Sequence, residues 1–300
     1  MKAFHPTADV IAASENIYGE RLVTFEVEFH RFVLAELNTH RSLSRSYQSS
    51  RAVPVERCLD LVANTPAIPL HWGKNQAGMS ADEECTSLIG GCEMYPGSTA
   101  DEYWLETAKI LSDRAREMHL AGYHKQVVNR LIETFMPIKG VLTGTVQAWE
   151  AFLLLRDHPA AQPEIRALAI EIKNKLLNIK YDKLAEYEWH LPYIGNNSGL
   201  PLSDAIITSV SCGAQVSYRR LDDSLEKART VLSRLDLPEN GVFGDDPPHF
   251  SAAEHCAASV HSGAKGDISR CGNFHATHFY QYRKMLENGT EGLYNGQEVK

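Results

Sequence analysis

Val23-Thr24-Phe25-Glu26-Val27-Glu28-Phe29, then Phe32-Val33-Leu34-Ala35-Glu36-Leu37, then the polar run from Asn38 to Arg51 form the stretch on which the fold reading turns. Large apolar residues alternate with Thr and Glu in the first segment, and a period of two is that of a half-buried strand. The second segment reads as a short helix. It delivers the chain into His40-Arg41-Ser42-Leu43-Ser44-Arg45-Ser46-Tyr47-Gln48-Ser49-Ser50-Arg51, which is too rich in Ser and Arg for a core and has no helical apolar stripe. This run is expected to be a loop. Its guanidinium groups bind phosphate oxygens bidentately, and its Ser hydroxyls add short neutral donors. A solvated basic loop has the same composition.

Downstream, Asn64 to Ala100 is rich in Pro and Gly and is expected to be an irregular insertion or lid. Helices are expected over Asp101 to Leu120, His124 to Phe135, Thr145 to Leu155 and Pro163 to Leu177, with Pro163 suited to a first turn. Tyr181 to Leu202 reads as a connector carrying Trp189-His190-Leu191-Pro192. Ser209 to Tyr218 reads as a strand or a helix start, Asp222 to Leu235 as an amphipathic helix, Phe243 to His249 as a loop and Ser251 to Ala258 as a helix. Residues 192–206 are the best candidate for a boundary, without separating independent domains.

The chain of 300 residues is 43% hydrophobic and 23% charged, enough apolar material for a real core. A net charge of -8 argues against a nucleic-acid footprint but leaves room for a local basic pocket. No apolar run has the length of a membrane span, and the N-terminal residues lack the apolar stretch of a signal peptide. The six cysteines have no short paired spacing and read as reduced thiols in a cytoplasmic protein. Cys85 and Cys92 have no CxxC or HxxxH partner, so no metal site is expected.

Two further constellations carry chemistry. In His249-Phe250-Ser251-Ala252-Ala253-Glu254-His255, Ser251 and Glu254 have the spacing of a capping box, which leaves the flanking histidines unexplained. Arg156 ends an apolar helix, where the helix dipole favours a cation. Arg130 reads equally as a paired surface residue. A G-x-S-x-G motif and a G-x-G-x-x-G loop are both missing, which argues against a hydrolase and a Rossmann unit.

Together these pieces resemble the flavin-dependent thymidylate synthases. That family carries R-H-R-x-x-S-x-N-E-x-S-x-R, and Thr39 to Arg51 matches it at His40, Arg41, Ser44, Ser49 and Arg51. Thr39 stands where the family has Arg, and Ser46-Tyr47 where it has Asn-Glu. Gly122 to Arg156 is similar to the helical stretch that supplies two substrate-binding arginines. Arg156 corresponds to the later one and Arg130, or Asn129 in an ungapped match, to the earlier one. The family's opening A-R-V-S-Y and H-x-S/T-P-F-E-H resemble Ala214-Gln215-Val216-Ser217-Tyr218 and His249 to His255, which here lie in the last third. The chain looks circularly permuted, a change tolerated where termini lie close together at the surface.

The resemblance implies an α+β fold with helices around a central antiparallel sheet, and a single domain over residues 1–300. Its motif halves would be 20–180 and 209–285, with the insertion at about 60–100. It implies conversion of dUMP to dTMP by a homotetramer using FAD, NADPH and methylenetetrahydrofolate, without a cysteine nucleophile. Arg156 would be catalytic and hold the pyrimidine. Ser49, Arg51 and Arg130 would hold the phosphate. His40, Arg41, Ser44, His249, Ser251 and Glu254 would contact the flavin. Thr39 and Tyr47 leave two alternatives open: methylation or hydroxymethylation of another pyrimidine nucleotide, and an inactive nucleotide-binding relative.

Overall fold

The computed structural model describes residues 3–92, 96–195, 198–217, 220–237, 249–260 and 267–289. Tyr218 and the expected loop from Phe243 to Pro248 lie outside these residues. The fold is α+β, with a mostly antiparallel sheet.

The chain begins with strands β1 (Thr7–Glu15) and β2 (Arg21–His30), then helix α1 (Leu34–Asn38) and strand β3 (Ser44–Tyr47). Helices α2 (Val55–Asn64), α3 (Ala100–Leu120) and α4 (Lys125–Val128) follow, then β4 (Pro137–Thr145), α5 (Val146–Arg156) and α6 (Pro163–Leu177). Short strands β5 (Asp182–Lys183) and β6 (Trp189–His190) lead to α7 (Leu202–Ala214) and α8 (Leu225–Arg234). A 3-10 helix over Phe250–His255, β7 (Ala257–Ser259), α9 (Ile268–Cys271), β8 (Phe279–Gln281) and α10 (Tyr282–Asn288) complete the described chain.

The main sheet has the order β3-β4-β2-β1-β5, and a smaller sheet the order β6-β7-β8. Every pairing in the main sheet is antiparallel except β1 with β5. The alternation in β2 does its expected work on one face: Val23, Phe25, Val27 and Phe29 are buried with Trp149, Phe152, Leu168 and Ile172 of α5 and α6. The other face departs from the half-buried expectation. Thr24 is fully buried because His190 of β6 lies on it. A second apolar core of Trp189, Ile206, Val210, Leu232, Ala253 and Tyr282 knits α7, α8 and the smaller sheet together.

Other expectations are also corrected. Ser44–Tyr47 is an edge strand on β4 rather than loop. Its pairing is set by tertiary contact, which overrides a composition poor in β-formers. Gly140 of β4 makes room for it, since a Cβ there would lie 2.7 Å from the Tyr47 ring. The helix expected over His124 to Phe135 is α4 followed by two 3-10 turns. The helix expected over Ser251 to Ala258 is a 3-10 helix followed by β7. Ser209 lies inside α7, which begins at Leu202. β1, β4 and α2 had no expectation. Among its described residues the insertion carries isolated bridges, Gly73 to Glu84 and Ile89 to Ser98, and its Trp72 packs edge-on against Trp104 of α3 at 5.8 Å.

Candidate functional site

Helix α5 places Arg156. Thr145 caps its start by accepting from the Ala148 N–H at 3.1 Å, and Trp149 and Phe152 anchor its inner face. Arg156 therefore emerges at a rigid helix end and meets the Ser/Arg run. Its Nε donates to His40 Nε2 at 2.8 Å, and its Nη2 donates to Thr39 Oγ1 at 3.0 Å and to the Glu36 carbonyl at 3.2 Å. Arg45 closes the same turn by donating to the Asn38 carbonyl at 2.6 Å. His40 stacks edge-on against Phe152 at 4.9 Å.

His40 is thus a neutral acceptor. Burial, reinforced by the charges of Arg156 and Arg45, pushes its pKa down to about 4. Its proton sits on Nδ1, because Nε2 must receive the Arg156 hydrogen. Thr39, where the family pattern has Arg, is one of the groups that hold Arg156. Beside α1 lies a cavity of about 420 Å³ lined by Arg31, Phe32, Asn38 and Glu133.

The expected phosphate set follows in the next turn. Ser49 N–H donates to Ser217 Oγ at 3.0 Å, bringing the run against the Ala214 to Ser217 block. Arg51 is exposed. Asn129 is fully buried and donates from Nδ2 to the Ser50 carbonyl at 2.7 Å and the Val53 carbonyl at 3.0 Å. It ties the turn bearing Arg130 to the loop bearing Arg51. Asn129 is therefore framework, while Arg130 is exposed and, among the described residues, donates to the Gln126 carbonyl at 3.2 Å.

The C-terminal block comes to the same run. His255 lies 2.9 Å from Ser46, across 209 residues of chain. Gln281 Nε2 bridges Ser44 Oγ at 3.1 Å and the Glu254 carbonyl at 3.0 Å. Ser44 is fully buried by these contacts. The Glu254 carboxylate is ion-paired with Arg283, and the 3-10 helix has no side-chain cap, so the capping box is not made. His249 and Ser251 are exposed. Arg41 is also exposed, and among the described residues Arg41, Arg51 and Arg130 are in no ion pair. Cys58, Cys212 and Cys256 are buried, and burial pushes their thiols up to about 11, 12 and 12. None of them is a thiolate nucleophile at neutral pH.

Residues 20–179 match the sequence model of the family described as Thymidylate synthase complementing protein. This chain belongs to that family. The family resemblance read from the motifs is borne out, and the matched segment contains the Ser/Arg run, Arg130 and Arg156. A relative named probable flavin-dependent thymidylate synthase from Mycobacterium phage D29 is 30% identical over 170 residues, 55% of this chain and 64% of the relative. One of the same name from Mycobacterium phage L5 is 29% identical over 167 residues, 55% of this chain and 62% of the relative. The chain thus spans a little under two thirds of the length of these relatives. Among solved structures, a UMP/dUMP methylase PolB from Streptomyces cacaoi bound with 5-Br dUMP is similar with a TM-score of 0.41 and 13% identity, covering 59% of this chain and 92% of that one. Thymidylate Synthase X from Helicobacter pylori with FAD and dUMP gives 0.35 and 16%, covering 51% and 66%.

The residues that motif reading missed are His190, Thr24, Thr143, Gln281 and Arg283, while Ser46 and His255 stood in its motifs without a role of their own. Thr24 sits at a strand position that alternation assigns to solvent, Thr143 lies in a strand the sequence reading did not expect, and the histidines become partners only when the two sheets meet.

Proposed function

We propose that the chain is a flavin-dependent thymidylate synthase, converting dUMP to dTMP with methylenetetrahydrofolate as carbon donor and NADPH as reductant. The observation that carries this reading is Arg156, held by His40 and Thr39 of the Ser/Arg run inside the segment that matches the family. When bound, FAD supplies the redox chemistry, and the protein's task is to orient and polarise. The donor set fits an anionic dinucleotide: Arg41 is exposed without an ion pair among the described residues, Ser251 is exposed beside the same run, and His249 is exposed two residues before it.

In this reading Arg156 holds the pyrimidine ring and stabilises the negative charge that develops on it. Neutral His40 fixes the guanidinium plane without competing for the substrate's charge. Arg51, Arg130 and Ser49 hold the nucleotide phosphate, guanidinium groups giving bidentate contacts. Ser44 and Glu254 contribute from behind, as the joint between the run and the C-terminal block. The A-Q-V-S-Y and H-F-S-A-A-E-H blocks lie beyond the matched segment, and their place in a permuted single domain belongs to this proposal. So do a cytoplasmic location and a homotetramer, for which exposed Leu154 and Leu155 beside Arg156 offer an apolar face.

The test is the product formed from labelled methylenetetrahydrofolate with purified, flavin-loaded protein. Labelled dTMP from dUMP supports the reading; flavin-loaded protein that oxidises NADPH yet leaves dUMP unchanged ends it. A second reading, modification of another pyrimidine nucleotide, is favoured by Tyr47 in place of the family's Glu, with its hydroxyl buried and without a hydrogen-bond partner among the described residues. A product from dCMP and none from dUMP selects it. Colourless protein that binds nucleotide without turnover selects an inactive relative.

A further inference from the structure

A relay of hydroxyls and imidazoles crosses the interior from β1 to the candidate site. Ser14 Oγ lies 2.8 Å from His190 Nδ1, and His190 Nε2 lies 2.7 Å from Thr24 Oγ1. Thr24 Oγ1 lies 2.7 Å from Thr143 Oγ1, which is 2.9 Å from His255 Nδ1. His255 Nε2 lies 2.9 Å from Ser46 Oγ, and Ser46 Oγ donates to the Ser251 carbonyl at 3.5 Å. His190, Thr24, Thr143 and His255 are each at most 1% exposed, so water does not compete for these bonds.

The last link sets all the others. Taken as a hydrogen bond, the Ser46–Ser251 contact fixes the direction: a carbonyl only accepts, so Ser46 gives its proton outward. Ser46 therefore accepts from His255 Nε2–H, and His255 Nδ1 accepts from Thr143. By the same step Thr143 accepts from Thr24, Thr24 from His190 Nε2–H, and His190 Nδ1 from Ser14. Each internal member then donates once and accepts once, with no buried group unsatisfied. At 3.5 Å the Ser251 contact is the longest of the relay and the easiest for a ligand to replace.

We propose that His255, backed by His190, is a positioning residue that holds Ser46 as a hydrogen-bond donor, so that the site takes a ligand oxygen, carbonyl or phosphoryl, at that point. The ligand half of this rests on the pyrimidine-nucleotide reading; the relay half does not.

The relay is tested by imidazole nitrogen NMR of the full chain. Both His255 and His190 are expected as neutral rings protonated on Nε2, and protonation of His255 on Nδ1 overturns the proposal. The ligand half is tested by calorimetric titration with dUMP, deoxyuridine and inorganic phosphate. Thr143→Val and Ser46→Ala are each expected to weaken dUMP about fivefold to tenfold, the worth of one hydrogen bond. The double variant is expected to lose no more than either single, and Thr143→Ser to bind as the parent does. Thr143→Val costing the same factor in the Ser46→Ala background overturns the proposal, because packing alone then explains it. A loss shared by deoxyuridine assigns the oxygen to the base carbonyl, and one confined to dUMP and phosphate assigns it to the phosphoryl group. Parent protein that binds none of the three overturns the nucleotide reading, and the ring spectra alone then decide the relay.

Discussion

Arg156 and His40 show how a single residue's role depends on its partner. A protonated His40 would repel the guanidinium it now receives; burial keeps it neutral, and Arg156 is left pointed by three acceptors. Arg156→Ala is expected to lower turnover by at least about a hundredfold, in line with loss of a preorganised charge stabiliser. Its thermal midpoint should stay within a few degrees of the parent, and parental turnover would overturn the assignment. Asn129 gives the opposite expectation. Asn129→Ala strands the buried carbonyls of Ser50 and Val53, and about 1–3 kcal/mol of stability should disappear from a urea titration. Arg130→Ala, one residue along and exposed, should leave that titration unchanged while weakening nucleotide binding.

At the scale of elements, β3 is the joint. One edge pairs with β4, and its hydroxyls meet Gln281 and His255 of the C-terminal block. Its place depends on Gly140, where a methyl group would press on the Tyr47 ring. Gly140→Ala is therefore expected to displace β3 and cost about 1–3 kcal/mol, the usual range for overpacking. Hydrogen exchange should speed up at Ser46 and Gln48, whose amides face β4, while the β1–β2 pairing keeps its protection. The strand was illegible in the sequence because Ser-Arg-Ser-Tyr lacks an apolar alternation, and the pairing comes from β4. β2 was legible on its inner face for the converse reason: Val23, Phe25, Val27 and Phe29 bury themselves on helices whose own apolar stripes are plain.

For the whole molecule, the buried histidines couple stability to pH. Burial, with a smaller contribution from His255, pushes His190 down to about 3, and burial does the same to His255. Below about pH 6.5 the unfolded chain takes up these protons and the folded chain does not, so stability falls as pH falls toward the folded values. Each fully depressed histidine contributes roughly 1.4 kcal/mol per pH unit in that window. Urea midpoints should be flat above pH 7 and drop steeply between pH 6 and 4, and the double variant His190→Gln/His255→Gln should flatten that drop. The proposed homotetramer belongs to the same scale. Leu154 is 78% and Leu155 60% exposed beside Arg156. Leu155→Asp is expected to reduce the assembled mass in light scattering and to remove turnover with it.

Composition and periodicity alone determined the apolar alternation of β2, the helices that cover it, and an Arg/Ser run suited to anions. Those signals are local, because period and side-chain chemistry are properties of neighbouring residues. The motif resemblance added the family and the weight on Arg156. Only the tertiary structure decided that Thr39 holds Arg156, that Asn129 is framework and Arg130 exposed, and that Thr24 and Thr143 are interior. Each of those depends on which surface a second segment covers. His190 and His255 reach the sheet from far along the chain, and no local pattern in β2 or β4 marks the face they close.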